Sequence, residues 1–152
     1  MTNNEKYMRL ALKEAKKAFD KNEVPVGCVI VKDDKVIARA HNLRQTKKSV
    51  LGHAEIIAIE KASKKLDSWI LEDCTMYVTL EPCPMCAGTI IQSRMKKVVY
   101  AANEPKFGAC GSVINLFENK FNHVVLVESN VLEEESRQLL KNFFQILRQN
   151  KQ

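Results

Sequence analysis

Apolar residues recur along this chain with two different spacings, which separate the predicted helices from the predicted strands. Over residues 5–22 they return every three or four positions, and this spacing predicts an amphipathic helix. The same spacing recurs in three later segments, while short runs of β-branched and aromatic residues predict five strands. The later helices are predicted at 53–66, 83–93 and 132–149, the strands at 26–31, 36–40, 75–80, 98–101 and 123–127, and a polar loop at 41–52.

The order of these elements predicts how the sheet is built. Strands 26–31 and 36–40 are separated by four polar residues at 32–35, so we expect them to form a hairpin. After this hairpin strands alternate with helices, which is typical of a sheet that carries helices on both faces. We therefore predict an α/β fold with a mixed five-stranded sheet in a three-layer α/β/α arrangement. A chain of 152 residues has the usual size of one domain, so we expect a single domain over 1–152.

Composition narrows the class of protein. The chain is 45% hydrophobic but has no apolar run near the roughly 20 residues needed to cross a bilayer. Residues 1–19 are charged and amphipathic instead of forming a signal peptide, so we expect a cytoplasmic protein without a membrane partner. The formal charge of +6 is modest support for a polyanionic partner. The basic groups at 47–48, 96–97 and 148–151 are predicted to be solvated faces.

Two short motifs carry the candidate chemistry. The sequence HAE at 53–55 begins one predicted helix, and PCPMC at 82–86 begins another. Zinc binds thiolate and imidazole ligands in a tetrahedral array, and three protein ligands with the fourth position left for water make a catalytic site. His53, Cys83 and Cys86 are therefore predicted to bind one Zn²⁺ per chain. Thiols in the first turn of a helix lie at the positive end of its dipole, which favours the thiolate.

Glu55 lies two residues beyond the predicted ligand His53, at the start of the same helix. From there its side chain can lie beside the metal without joining it. We expect it to take a proton from the attacking water and to deliver protons to the ring nitrogen and the departing amine.

The cysteine pair at 83 and 86 is also found in redox sites and in structural zinc sites. If Cys83 and Cys86 were a thioredoxin-like redox pair, the HAE motif would have no role. A closed structural zinc site would need a fourth ligand, and no further histidine or cysteine has a second paired spacing. Cys28 and Cys74 lie in or beside apolar strands and are predicted to be buried apolar residues. The remaining candidates are Cys110, His41 and His123, and both histidines are predicted to be hydrogen-bonded.

Beyond the two motifs, the chain resembles the bacterial tRNA-specific adenosine deaminases, which are members of the cytidine-deaminase-like superfamily. HAE together with PCxxC is the signature of zinc base deaminases in general. Several flanking segments point to the tRNA branch of the superfamily. These segments are EVPVG at 23–27, ARAHNLR at 38–44, YVTLEPCPMCAG at 77–88, SR at 93–94 and FNH at 121–123.

The resemblance implies a CMP/dCMP-type deaminase domain that converts the wobble adenosine of a tRNA anticodon stem-loop to inosine. It also implies a homodimer in which each active site borrows surface from the partner. Asn42 would hydrogen-bond the flipped-out nucleoside, and the Ala54 amide would contact the base. The remaining implied contacts are the pocket walls Val24 and Leu80 and the anticodon contacts Glu104, Lys106 and Phe144. The chain departs from the family pattern at Gly52, Glu104, Phe107 and Gln145.

Two further functions compete with tRNA editing. A deaminase of free guanine or cytosine, or of a nucleoside, would use the same zinc chemistry, but it would need neither the basic C-terminal helix with Phe143 and Phe144 nor the HNLR loop at 41–44. A non-catalytic, zinc-stabilised RNA-binding subunit would have no use for Glu55 beside an open coordination position.

Overall fold

The computed structural model describes residues 1–150, and within them five strands form one sheet between two layers of helices. The strands are β1 (Gly27–Lys32), β2 (Lys35–His41), β3 (Cys74–Leu80), β4 (Lys97–Ala102) and β5 (Leu126–Glu128). The helices are α1 (Asn3–Asp20), α2 (Arg44–Lys47), α3 (Ala54–Leu66), α4 (Pro84–Gln92) and α5 (Glu133–Asn150), and a 3₁₀ turn covers Leu116–Glu118.

The sheet is mixed, with the strand order β2-β1-β3-β4-β5. β1 pairs antiparallel with both β2 and β3, whereas β3, β4 and β5 run parallel. Parallel neighbours need a crossover, and α4 supplies it between β3 and β4. The carboxyl end of β3 therefore leads directly into the start of α4, where the PCxxC motif lies.

Each face of the sheet buries its own set of side chains. Successive residues of a strand point to opposite faces, so Ile30 packs in the core beneath α3 and α4 while Val29 packs beneath α1. The same alternation puts Met76 on the first face and Tyr77 on the second. The predicted α/β fold, with a mixed five-stranded sheet inside a three-layer α/β/α arrangement, is confirmed.

Helix α5 lies in the same layer as α1. The rings of Phe143 and Phe19 meet edge to face with their centroids 5.7 Å apart, which joins the two helices. The buried hydroxyl of Ser136 donates to the carbonyl oxygen of Thr79 at 2.5 Å, which ties α5 to β3.

Two local expectations were wrong. The predicted loop at 41–52 contains the short helix α2, in which the amides of Gln45 and Thr46 donate to the Glu23 carboxylate, a tertiary contact that local sequence does not show. The last strand begins at Leu126 and not at 123, because the His123 ring bonds to the Met95 carbonyl oxygen before the pairing with β4 begins. The 3₁₀ turn was not predicted either.

The burial predicted for two cysteines and the hydrogen bonding predicted for two histidines are confirmed. Cys28 and Cys74 are fully buried, and His41 and His123 are both hydrogen-bonded. Among the basic groups, residues 47, 48 and 96 are solvated, but Lys97 is half-buried and forms an ion pair with Glu128 at 2.5 Å. The group at 148–151 and the domain at 1–152 extend into residues 151–152, which lie outside the described residues.

No helix within residues 1–150 is both long enough and apolar enough to cross a membrane.

Candidate metal centre and active site

The ends of two helices bring the predicted ligands together. His53 is the N-cap residue of α3, and Cys83 is the N-cap residue of α4, both in extended conformation. Pro84 occupies the first turn of α4, where its fixed φ suits the helix start and its missing N–H costs nothing. Cys86 follows within that turn and is buried. The side chains of His53 and Cys83 consequently face each other across the gap between the helices.

The distances within this cluster fit a zinc site. The ligand atoms of His53, Cys83 and Cys86 all lie within 4.8 Å of one another. His53 Nδ1 is 3.8 Å from Cys83 Sγ and 3.5 Å from Cys86 Sγ. Tetrahedral zinc with ordinary Zn–S and Zn–N bond lengths requires sulfur-to-nitrogen separations of about 3.5 Å. The cluster therefore needs little rearrangement to bind the metal, and its two sulfurs and one nitrogen are donors that zinc prefers.

The pKa values of the two thiols of the cluster are shifted in opposite directions. Cys83 has its pKa lowered to about 4, mainly by the hydrogen bond from the Cys86 thiol and also by the hydrogen bond with His53. The same bond to Cys83, together with burial, raises the pKa of Cys86. Of the two thiols, Cys83 is therefore the one that ionises more readily. Two cysteine sulfurs at the N-terminus of α4 and the His53 ring at the N-terminus of α3 form a donor set suited to a divalent cation.

Glu55 lies in the first turn of α3, immediately beside the ligands. Its side chain is only 4% exposed. Burial raises the pKa of Glu55 to about 7, and the negative charge of Cys83 acts in the same direction. Glu55 thus lies beside the candidate ligands, and it is buried, which the sequence had not predicted.

Ala54, Asn42 and Val24, which the resemblance implies as nucleoside contacts, lie near the same end of the sheet as the cluster. Ala54 is the first residue of α3, so its N–H has no acceptor within the helix. The Asn42 side chain donates to Val24 O at 3.2 Å and accepts from Arg44 N at 3.0 Å. An amide side chain has two donor hydrogens and two acceptor lone pairs, which leaves Asn42 one of each for a ligand.

The other implied contacts are more widely spread. Leu80 ends β3, packs against the core and stays partly exposed. The Glu104 side chain accepts from Lys106 N at 3.0 Å, so both residues belong to one compact turn. Phe144 lies in the opposite helical layer, 40% exposed and edge to face with Phe143. Leu80 therefore lies just before Cys83 in the chain, where β3 leads into α4. Phe144 lies on the other side of the sheet from the three candidate ligands.

Gly52, one of the departures from the family pattern, has a packing reason. A Cβ atom at this position would lie 2.8 Å from Arg44 Cα and 2.9 Å from Arg44 N. Leu43 N donates to Gly52 O at 2.8 Å, which holds the two ends of the 43–52 loop together. A larger residue would force this loop away from the start of α3.

Sequence reasoning missed the buried carboxylates Glu14, Glu23 and Glu81, and two of these, Glu23 and Glu81, hold loops beside the cluster and are 1% and 3% exposed. Glu23 Oε2 accepts from Thr46 N at 2.6 Å and from the Thr46 hydroxyl at 2.7 Å, and Oε1 accepts from Gln45 N at 3.1 Å. Glu81 makes a similar set of bonds to the loop that follows β4. The sequence did contain a signal for Glu23 and Glu81. Each is an acidic residue that stands beside an apolar run and a proline, where a charge is unexpected.

The fold and the cluster together define an α/β protein with three potential metal ligands at the N-termini of two helices. The chain belongs to the MafB19-like deaminase family, whose sequence profile matches residues 2–148.

Named relatives agree with the resemblance drawn from the sequence. The chain is 53% identical over 152 residues to the tRNA-specific adenosine deaminase of Bacillus subtilis (strain 168), covering 99% of this chain and 94% of that one. It is 46% identical over 147 residues to the tRNA-specific adenosine deaminase of Aquifex aeolicus (strain VF5), covering 96% and 97%. A solved structure from a study of A-to-I editing by tRNA:A34 deaminases superimposes with a TM-score of 0.85 at 40% identity, covering 88% of this chain and 98% of that chain.

Proposed function

We propose that this chain is a zinc-dependent hydrolytic deaminase that converts the wobble adenosine of a tRNA anticodon to inosine. One observation carries the proposal: the cluster of His53, Cys83 and Cys86, with Glu55 beside it, occurs in a chain 53% identical to a named tRNA-specific adenosine deaminase. The donor set fits one Zn²⁺ per chain. Redox and closed structural sites would leave Glu55 without a role.

The reaction is hydrolytic, since water and adenosine give inosine and ammonia. When bound, zinc would supply a water of lowered pKa. Glu55 takes a proton from the attacking water and delivers it to the ring nitrogen next to the reacting carbon. The same carboxylate then moves a second proton to the exocyclic amine, which leaves as ammonia. The burial of Glu55 keeps competing solvent away from these proton transfers.

The residues around the cluster have the chemistry needed to orient a nucleoside. The unpartnered N–H of Ala54 would bond the base, and the free donor and acceptor of Asn42 would bond the nucleoside. Val24 and Leu80 would form the walls of the pocket. Anticodon loops present unpaired bases, which lowers the cost of extruding one of them. Neighbouring nucleotides would then meet the remaining predicted contacts, Glu104, Lys106 and Phe144.

We also propose a homodimer of single-domain chains in the cytoplasm. Support for the dimer comes from a groove beside α4 that includes large apolar side chains, since Trp69 is 62% exposed and Phe121 is 49% exposed. Exposed apolar patches of this kind commonly mark protein interfaces. Sedimentation equilibrium at micromolar concentration should give twice the chain mass, and a single-chain mass would contradict the dimer.

A substrate comparison tests the function. An anticodon hairpin with adenosine at the wobble position should give inosine and ammonia, whereas the same adenosine paired in a duplex should be nearly inert. Free adenosine, guanine and cytosine are tested in parallel, with Glu55→Ala protein as the control for contaminating activity. Equal turnover of hairpin and duplex, or faster turnover of a free base, would refute the tRNA assignment and favour a small-substrate deaminase.

A further inference from the structure

Glu81 is a buried carboxylate that the proposed chemistry does not use, and it lies two residues before the ligand Cys83. Its two oxygens accept four hydrogen bonds, all from the loop at residues 104–112. Oε1 accepts from Glu104 N at 3.0 Å and from the Ser112 hydroxyl. Oε2 accepts from Cys110 N at 2.9 Å and from Ser112 N at 3.2 Å. An ionised carboxylate is an acceptor with about four lone-pair sites, so this arrangement uses its full capacity.

The loop folds so closely around Glu81 that position 108 must be glycine. A Cβ atom on Gly108 would lie 2.4 Å from Glu81 Cδ and 2.5 Å from Glu104 O. The next residue, Ala109, donates its N–H to Pro82 O at 2.9 Å. The 104–112 loop is therefore fastened to the end of β3 at Glu81 and at Pro82. Hydrogen bonds at both ends of the loop determine its course.

This fastening has a functional consequence because the loop carries two of the residues implied in anticodon contacts. Glu104 is held through its backbone N–H, and its side chain in turn accepts from Lys106 N. The Lys106 side chain is exposed at the surface of this turn. Pre-ordering of a loop in its bound conformation lowers the entropic cost of binding.

We propose that Glu81 is a positioning residue for the RNA substrate: its carboxylate holds the 104–112 loop in the conformation that presents Glu104 and Lys106 to the anticodon. The inference rests on the proposed function. Glu81 acts through the loop and contacts neither the nucleoside nor the metal ligands.

The substitution Glu81→Gln tests this with almost no change in volume. A glutamine side chain has one acceptor oxygen and one NH₂ group, so either orientation points donor hydrogens at loop donors. Relative to wild type, we expect KM for the anticodon hairpin to rise about tenfold or more, the scale of losing a bond to a charged group. The value of kcat at saturation and the zinc content should stay near wild type. Amide hydrogen exchange should accelerate at Cys110 and Ser112.

Tyr7→Phe is the matched control, since it removes one partly buried hydroxyl bond, to Asp34 O at 2.9 Å, in the other helical layer. It should leave both the hairpin KM and the exchange of the loop amides unchanged. Should Glu81→Gln fail to fold, Ser112→Ala removes a single donor to the same carboxylate and should raise KM by a smaller factor.

Three results would overturn the proposal. The first is a KM equal to that of wild type in whichever of the two variants, Glu81→Gln or Ser112→Ala, folds. The second is exchange of the loop amides at the wild-type rate, and the third is a loss of zinc and kcat with KM unchanged. A failure of the proposed function would look different, because wild-type protein would then not deaminate the hairpin. Hydrogen exchange would still report in that case whether Glu81 orders the loop.

Discussion

Replacing Glu23 by glutamine should destabilise the protein in a pH-dependent way. In the best orientation the amide oxygen keeps both bonds with Thr46, and Gln45 N then loses its acceptor and faces an NH₂ group. An orphaned buried N–H costs about 1–3 kcal/mol, and each remaining bond loses the extra strength of a charged acceptor. The free energy of unfolding should therefore fall by about 2–4 kcal/mol at neutral pH, a large part of the usual 5–15 kcal/mol.

The sign of the pH dependence follows from the environment of the carboxylate. Burial alone would raise the pKa of Glu23, but hydrogen bonds from Thr46 and Gln45 and the nearby Arg44 outweigh it, so the pKa is lowered. A group with a lowered pKa in the folded state stabilises the protein above its unfolded pKa of about 4.3. That stabilisation disappears as the pH falls through the folded value. The difference between wild type and variant should therefore shrink under acid.

Urea unfolding followed by circular dichroism, at neutral pH and at steps down through the unfolded pKa, measures this difference. A loss of 2–4 kcal/mol moves the midpoint by about 1–2 M for ordinary slopes. The control is Glu60→Gln, which alters an exposed glutamate on α3 and should change stability by at most about 0.5 kcal/mol. A midpoint shift that stayed constant with pH, or that matched the control, would refute the reasoning.

Other predictions concern the site. Cys86→Ala should lose the metal, because two ligands do not hold zinc, and metal analysis of the purified protein should show far less than the one zinc per chain expected for wild type. Glu55→Gln should keep zinc and hairpin affinity but lose kcat by several orders of magnitude; near-normal turnover would refute its role. Lys106→Ala should lower the slope of log affinity against log salt concentration for RNA binding by about one, the effect of one lost phosphate contact. Asn42→Ala should leave that slope unchanged but alter kcat and the choice of base.

The clustering of His53, Cys83 and Cys86 could be predicted because local sequence determines it. A histidine at the start of one helix and two cysteines in the first turn of another need only the strand between them to bring the two helix ends together. The spacing of apolar residues predicted the first residue of each helix to within one position, because α3 begins at Ala54 and α4 at Pro84. Glu55 followed from its place two residues after His53.

The features that were missed depend on contacts between residues far apart in the chain. Helix α2 forms where the Glu23 carboxylate, more than twenty positions earlier, accepts the amides of Gln45 and Thr46. The late start of β5 depends on the bond between His123 and Met95. Neither partner is visible from periodicity, which reports only which face of an element is apolar.

The candidate ligands are positioned by local sequence, whereas the loops are positioned by long-range contacts. This difference suggests how a deaminase of this family can keep its chemistry while its substrate changes. The ligands and Glu55 belong to two helix N-termini that pack on the core. The predicted substrate contacts Asn42, Glu104 and Lys106 lie in two loops instead, and each loop is fastened by one buried carboxylate. Substitutions in these loops leave the ligand geometry intact as long as Glu23 and Glu81 keep their donors. Most of these hydrogen bonds come from backbone amides, and only Thr46 and Ser112 donate through their side chains. Other positions of the loops, apart from the closely packed Gly52 and Gly108, can therefore change their side chains, so specificity can vary while the candidate metal ligands stay in place.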